Sequence, residues 1–217
     1  MADEHEDEDV QRIKNWWRAN GASLVIGVVV GLAVIVGWQG WQAYVENQSM
    51  AAADLYQQFA ALQESGADDQ ALVDLAGQLQ SDYGSSPYAA KAGLALGRHF
   101  AQADDNERAR QALQWVIDYA EQAPLRHLAR VRQARLIWGE GNAEAALAQL
   151  DTEYPDLYAP LYAELSGDIH AARGDRTAAR EAYQRALDNL PADADPSSLQ
   201  RKLDDVTPTR TATAEAP

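Results

Sequence analysis

The chain has 217 residues and a net charge of −15 at pH 7, which argues against a nucleic-acid binder because phosphate-tracking surfaces need concentrated Lys and Arg. It contains no cysteine, which excludes disulfides, thiol chemistry and cysteine-ligated metals. Hydrophobic residues make up 47% of the sequence, enough for a core, and the abundance of Ala, Leu, Gln and Glu favours helices.

Residues 21–41 form an apolar segment without a charged side chain. At about 1.5 Å per residue, a helix of this length spans roughly 31 Å, close to the hydrocarbon thickness of a bilayer. Trp16 and Trp17 precede the segment and Trp38 and Trp41 close it, and indole rings favour both membrane interfaces. The pattern predicts a transmembrane helix in contact with the lipid bilayer.

The Lys and Arg residues around this segment indicate its orientation. Arg12, Lys14 and Arg18 precede it, and no Lys or Arg follows it until Lys91. The positive-inside rule therefore predicts a cytoplasmic tail over residues 1–20. The C-terminal part is expected to lie on the opposite side of the membrane from this tail. In a Gram-negative cell that compartment is the periplasm.

A cleavable signal peptide is the competing interpretation of the same segment. Its apolar run is longer than the hydrophobic region of most signal peptides, and no small-residue cleavage site follows it. Bulky Trp38 and Trp41 occupy the positions where such a site would lie. We therefore expect the segment to stay in the protein as an anchor.

Gly27 and Gly31 form a GxxxG spacing within the apolar segment. In a membrane this spacing allows a second helix to approach closely, so both glycines are candidate packing positions. Glycine is also common in membrane helices without such a role, and that alternative stays open.

The C-terminal half shows a helix–turn–helix pattern, clearest over residues 160–191. Gly167 supplies a small residue in the first helix, and Gly174 with Asp175 breaks the chain before the second. Pro191 ends the second helix. The apolar face of that helix recurs at helical spacing in Ala179, Tyr183 and Ala186. This set resembles a tetratricopeptide repeat of about 34 residues.

The same frame recurs upstream. Ala109 and Ala146 take the place of Ala179 in two earlier units, at intervals near the expected period of about 34 residues. A weaker pair runs from about Met50 to Tyr83. Repeats of this kind stack into a superhelix with a concave face. An unrelated helical bundle is the alternative interpretation.

The sequence thus predicts an all-α protein with a single N-terminal transmembrane helix followed by a tetratricopeptide-like superhelix. The repeat domain is expected over residues 42–191. Residues 192–217 are rich in Asp, Pro, Ser, Thr and Ala, a composition typical of disorder. We expect this tail to be mostly disordered, with one short turn near Leu199–Val206.

The order of these features resembles that of the YfgM family: a short charged tail, one anchor, an aromatic exit and degenerate tetratricopeptide-like pairs. The resemblance covers nearly the whole chain, and its motifs are structural. It implies an inner-membrane protein whose periplasmic repeats lie beside the SecYEG translocon and associate with a membrane-anchored chaperone of the prolyl-isomerase class, PpiD. The resemblance also implies that the protein helps to pass exported polypeptides to periplasmic chaperones and that it modulates an envelope-stress response regulator.

The sequence offers little chemistry of its own. The histidines are scattered without metal-ligand spacing, at His5, His99, His127 and His170. No GxSxG, Walker-type loop or dinucleotide fingerprint is present. We predict a protein that is not an enzyme and has no cofactor, catalytic residue or bound metal.

One feature of the repeats suggests partner binding. A predicted helix ending at Trp138 carries the arginines Arg126, Arg130, Arg132 and Arg135. First helices of such repeats line the concave groove. The residues predicted to face it are Lys91, Leu94, Arg98, Val131, Arg135 and Trp138. This mixture suits an acidic, amphipathic peptide or helix. In the competing view, the arginines pair with Glu140 and Glu144 and only keep the helix soluble.

Two classes of function follow. The first is a translocon-associated scaffold that works with periplasmic chaperones. The second is a scaffold for envelope assembly or cell division without translocon contact. An envelope enzyme that uses a carboxylate pair is a distant third.

Overall fold

The computed structural model describes residues 2–66 and 68–207. The chain divides into two compact units, Met1–Ala51 and Ala52–Pro217, and each is described by itself. All regular secondary structure in the described residues is helical. The helices are α1 (Ala2–Glu64), α2 (Asp69–Asp82), α3 (Pro87–Gln102), α4 (Asn106–Tyr119), α5 (Ala123–Gly139), α6 (Ala143–Leu150), α7 (Ala159–Ala172), α8 (Arg176–Asp188) and α9 (Ser197–Val206).

The first unit consists of the N-terminal part of α1. The side chains of residues 2–13 and 22–26, among others, lie outside the described residues, and so do parts of the predicted cytoplasmic tail and of the predicted span 21–41. The apolar side chains described between Val29 and Val36 are exposed. Among the described residues, no helix combines the length and the apolarity needed to cross a bilayer.

The second unit is built from helical hairpins that follow one another along the chain. α3 packs on α4, α5 on α6, and α7 on α8, while α5 also contacts both α3 and α7. A short 3-10 helix, Asp156–Tyr158, leads into α7. This arrangement confirms the predicted all-helical, tetratricopeptide-like fold.

Two of the hairpin turns use a glycine followed by a capping residue, which is the pattern that the sequence predicts at Gly174 and Asp175. Gly141 and Gly174 have φ values of 89° and 79°, a left-handed conformation that side chains with a Cβ rarely adopt. Asn142 and Asp175 then cap the next helix, each side-chain oxygen accepting the backbone N–H three residues on, at 3.0 and 3.1 Å. The turn and the helix start are therefore encoded by adjacent residues.

Glycines set how closely the two helices of a hairpin approach. A Cβ added at Gly167 of α7 would lie 2.5 Å from the ring of Tyr183 on α8. Gly93 and Gly97 of α3 show the same closeness to α4, with added-Cβ distances of 2.5 and 2.7 Å. At these crossings the absence of a side chain is a packing requirement.

The end of α1 belongs to the core of the second unit. Ala52, Leu55 and Phe59 are buried in a cluster that also contains residues of α2 and α3. Tyr56 stacks on Phe59, with ring centroids 6.0 Å apart, and also contacts Tyr88 of α3. The last turns of α1 therefore act as the first packing helix of the repeat array.

The C-terminal segment differs from the sequence-based expectation. One short turn was predicted near Leu199–Val206, whereas the structure has a ten-residue helix, α9, in that position. Leu199, Leu203 and Val206 lie one helical turn apart and are buried against α7 and α8. Burial of this apolar stripe orders a segment whose composition alone suggests disorder. Residues 208–217 lie outside the described residues.

A cluster of polar side chains also joins α9 to α7. Lys202 Nζ donates to Glu164 Oε1 and Asp168 Oδ1, each at 2.7 Å. The Tyr183 hydroxyl of α8 donates to the same Asp168 oxygen at 2.9 Å. Burial, together with the hydrogen bond to Asp168, raises the pKa of Tyr183. The neutral phenol therefore remains a donor at all physiological pH values.

Candidate partner-binding face

The candidate site lies where α3, α4 and α5 meet. Arg98 on α3 and Arg132 and Arg135 on α5 line one cavity of about 230 Å³. The apolar part of its wall comes from α3, α4 and α5, through Gly97, Ala101, Leu113 and Leu136. We call these seven residues the arginine cavity.

The electrostatics of the arginine cavity are unusual for so acidic a protein. Burial lowers the pKa of Arg132, and the positive charges of Arg98 and Arg135 lower it further. None of the three makes an ion pair with a carboxylate in the described part of the chain. One N–H of Arg132 donates to the carbonyl oxygen of Leu94 at 3.4 Å. Three like charges are thus held together without a neutralising side chain in the described structure.

The competing view, in which these arginines pair with Glu140 and Glu144, is not what the structure shows. Glu140 accepts from Arg110 of α4 at 2.7 Å, and Glu144 lies 3.6 Å from Arg173. Arg126, the first arginine of α5, donates instead to backbone carbonyls at the end of α4. The two acids proposed as neutralising partners are therefore engaged elsewhere.

The other residues predicted to face the groove lie in different places. Leu94 and Val131 are only 6% and 4% exposed and belong to separate core clusters. Lys91 is exposed, with its ammonium 5.0 Å from the Tyr88 ring centroid. Trp138 is half-buried and packs on the cluster between α5, α6 and α7. The structure thus brings together only Arg98 and Arg135 of the predicted set.

Arg132 is the one arginine of the cavity that lies outside the predicted groove face. It lies three positions before Arg135, a spacing that places two side chains on one face of a helix. The predicted groove face contains Val131 and Arg135 and leaves out the neighbouring Arg132. The (i, i+3) spacing was therefore an available signal for the correct face.

A second polar cluster lies between the start of α5 and α7. The His127 ring stacks on Tyr158 with centroids 3.9 Å apart, and its Nδ1 lies 2.8 Å from the Tyr162 hydroxyl. Burial lowers the pKa of His127, and the charges of Arg130 and Arg126 lower it further. The imidazole is therefore neutral in the folded protein at pH 7.

This cluster predicts a pH dependence of stability. The unfolded chain has a His127 pKa near the ordinary value of about 6.5, so below that pH it binds more protons than the folded chain. We expect the free energy of unfolding to fall as the pH drops from 7 to 5. His127→Asn should flatten this fall, measured by urea unfolding at several pH values. Equal pH slopes for wild type and variant would contradict the assignment.

Among the side chains that the structure describes, no group of three or more His, Asp or Glu residues is placed to hold a metal ion. A second cavity, of about 580 Å³, lies between α6, α7 and α8 and is lined by mixed polar and apolar residues.

Stacked helical hairpins of this kind define a helical-repeat interaction protein. The sequence profile described as a tetratricopeptide repeat-like domain matches residues 14–208, and the chain belongs to this family. No solved structure matches the chain significantly.

The predicted resemblance to YfgM is confirmed by curated relatives named Ancillary SecYEG translocon subunit. The protein from Escherichia coli (strain K12) is 26% identical over 94% of this chain and 97% of its own length. The one from Neisseria gonorrhoeae is 26% identical over 92% of this chain and 96% of its own. The one from Haemophilus influenzae is 23% identical over 83% and 88%.

Proposed function

We propose that this chain is a non-catalytic scaffold associated with the Sec translocon, in which helical repeats hold partner polypeptides beside the channel. The observation that carries the proposal is the near full-length similarity to proteins named for that association. The similarity covers both the N-terminal segment and the repeats. It therefore favours a protein in which the N-terminal segment anchors the chain and the repeat domain binds partners.

The anchor in this proposal is the segment 21–41, placed in the bacterial inner membrane. The exposed fractions of Val34 and Val36 are both 66%, an apolar surface that is unfavourable in water and favourable in lipid. The basic residues before the segment support a cytoplasmic N-terminus and a periplasmic repeat domain over residues 42–191.

We further propose that Gly27 and Gly31 form a contact surface for another membrane helix. A Cβ added at either position would meet nothing within 4 Å in this chain, so both positions are open to a neighbour. Close approach at such small residues is a common way for membrane helices to associate. A helix of the SecYEG channel is the partner that the relatives' name suggests.

The repeat domain is proposed to bind a membrane-anchored periplasmic chaperone of the PpiD type and segments of exported polypeptides. The contact face would be formed by the exposed charges of Arg98 and Arg135. Lys91 is also exposed and would add a separate charge, while Leu94 and Val131 are buried in the core. The half-buried Trp138 contributes at the margin of the contact face. Through the tail of residues 1–20, the protein would also modulate an envelope-stress response regulator.

In-vivo photocrosslinking tests the translocon association. A photoreactive residue placed at Gly27 or Gly31 is expected to give an adduct with SecY, and one at exposed Arg180 of α8 serves as the matched control. Adducts formed only with division or outer-membrane assembly proteins would instead support the alternative scaffold and overturn the proposal.

A further inference from the structure

We propose that the arginine cavity binds a glutamate or aspartate side chain of an amphipathic segment in a partner polypeptide, with the adjacent apolar side chain of that segment against the cavity wall. This inference rests on the proposed scaffold function and gives its contact face a defined ligand chemistry.

The first argument is charge. Arg98, Arg132 and Arg135 converge in a chain whose net charge is −15, yet no described carboxylate pairs with them. Bringing like charges together is unfavourable, and most so for Arg132, which is half-buried while Arg98 and Arg135 are exposed. A carboxylate supplied by a partner would relieve this cost.

The second argument is hydrogen-bonding capacity. Each guanidinium has five N–H donors in a planar fork that matches the two oxygens of a carboxylate. Arg132 uses one N–H for the carbonyl oxygen of Leu94, and at 3.4 Å this bond is long. The remaining donors are available to a ligand, and the bond to Leu94 orients the side chain across the cavity.

The third argument is the size and wall of the cavity. A volume of about 230 Å³ is below that of typical small-molecule pockets, about 300–1,000 Å³, but suits one or two side chains. Ala101, Leu113 and Leu136 provide apolar surface beside the charged groups. An acidic residue next to Leu or Ile on an amphipathic segment matches both the charged groups and the apolar wall of the cavity.

A side-chain carboxylate fits better than a chain terminus. Recognition of a C-terminus is strengthened by side-chain amides that bind the preceding peptide group. None of the seven residues of the arginine cavity is Asn or Gln. The arginines therefore bind the side-chain carboxylate, and the apolar wall contacts the residue beside it.

The test uses the full-length protein in detergent micelles and fluorescent amphipathic peptides with amidated C-termini. One peptide carries a central Leu-Glu-Leu and the second carries Leu-Gln-Leu. We expect the Glu peptide to bind at least about tenfold more tightly, because charge-assisted bonds to arginine are lost in the Gln peptide. In Arg98→Gln/Arg135→Gln this preference should disappear.

Arg180→Gln/Arg201→Gln is the matched control. It removes the same number of charges from exposed positions on α8 and α9 and should keep the preference for the Glu peptide. Urea unfolding of both double variants checks that the fold is intact. Equal binding of the two peptides by wild type, or an unchanged preference in Arg98→Gln/Arg135→Gln, would overturn the proposal.

Two further measurements distinguish a side-chain carboxylate from a chain terminus and from a free anion. A Gln peptide with a free C-terminus should bind no better than its amidated form, and inorganic phosphate should compete only weakly. Tight binding of either would assign the cavity to a chain terminus or a free anion and would overturn the proposal. If the Glu peptide binds as expected but no SecY adduct forms, only the scaffold function is refuted. If SecY adducts form but the preference for the Glu peptide is absent, only this inference is refuted.

Discussion

Phe59→Ala is expected to lower the free energy of unfolding of the repeat domain by about 3–5 kcal/mol. The Phe59 ring is fully buried within a cluster formed by α1, α2 and α3. Leu72 of α2 and Leu96 of α3 belong to the same cluster. Truncation removes the transfer energy of the ring and leaves a cavity, because the surrounding helices relax only partly.

Urea unfolding of the full-length protein, followed by circular dichroism, measures this effect. Gln58→Ala is the matched control, because Gln58 is the exposed neighbour of Phe59 in α1 and its truncation should change stability by no more than about 0.5 kcal/mol. If the two variants unfold at the same urea concentration, the end of α1 is not part of the domain core.

Gly167→Ala is expected to destabilise the protein by about 1–3 kcal/mol through overpacking. The added methyl group would lie 2.5 Å from the Tyr183 ring. That ring is buried, and its hydroxyl is held by Asp168, so it has little freedom to move aside. The helices α7 and α8 would have to separate, and this strains the contacts of α9 as well.

Gly77→Ala provides the opposite result in the same assay. Gly77 is an exposed residue within α2, and a Cβ there would meet nothing within 4 Å. Replacing Gly by Ala in such a helix position stabilises by up to about 1 kcal/mol. If Gly167→Ala stabilised the protein as Gly77→Ala is expected to do, the close crossing of α7 and α8 would be disproved.

Much of the repeat fold is predictable from the sequence because its determinants are local. Gly141 with Asn142, and Gly174 with Asp175, specify both a turn and the start of the next helix. Gly167 marks a close crossing because no other residue fits. These features depend on neighbours in the chain, so they are visible without a structure.

The arginine cavity was only partly predictable because it depends on how α3 and α5 face each other. A repeat frame identifies the inner helices but does not fix their rotation to within one residue. Val131 and Leu94 were therefore placed in the groove, whereas they pack inward, and Arg132 was omitted although it lines the cavity. A change of one position in a helix rotates a side chain by about 100°.

α9 was underestimated for a different reason. The segment is short and rich in Asp, Pro and Ser, and it contains few apolar residues. Its stability comes from burial of Leu199, Leu203 and Val206 against α7 and α8, and from Lys202. Such long-range packing overrides the composition of the segment.

The position of α9 has a consequence for self-association. Stacked helical hairpins are open-ended by nature, since the last hairpin leaves an apolar face on which the first hairpin of another molecule can dock head to tail. Here that face, with Ala179, Tyr183 and Ala186, is covered by the amphipathic α9, whose exposed side is polar. The helix thus occupies the face that a second copy would need at this end, and we expect a chain shortened before Ser197 to expose it and to self-associate more readily.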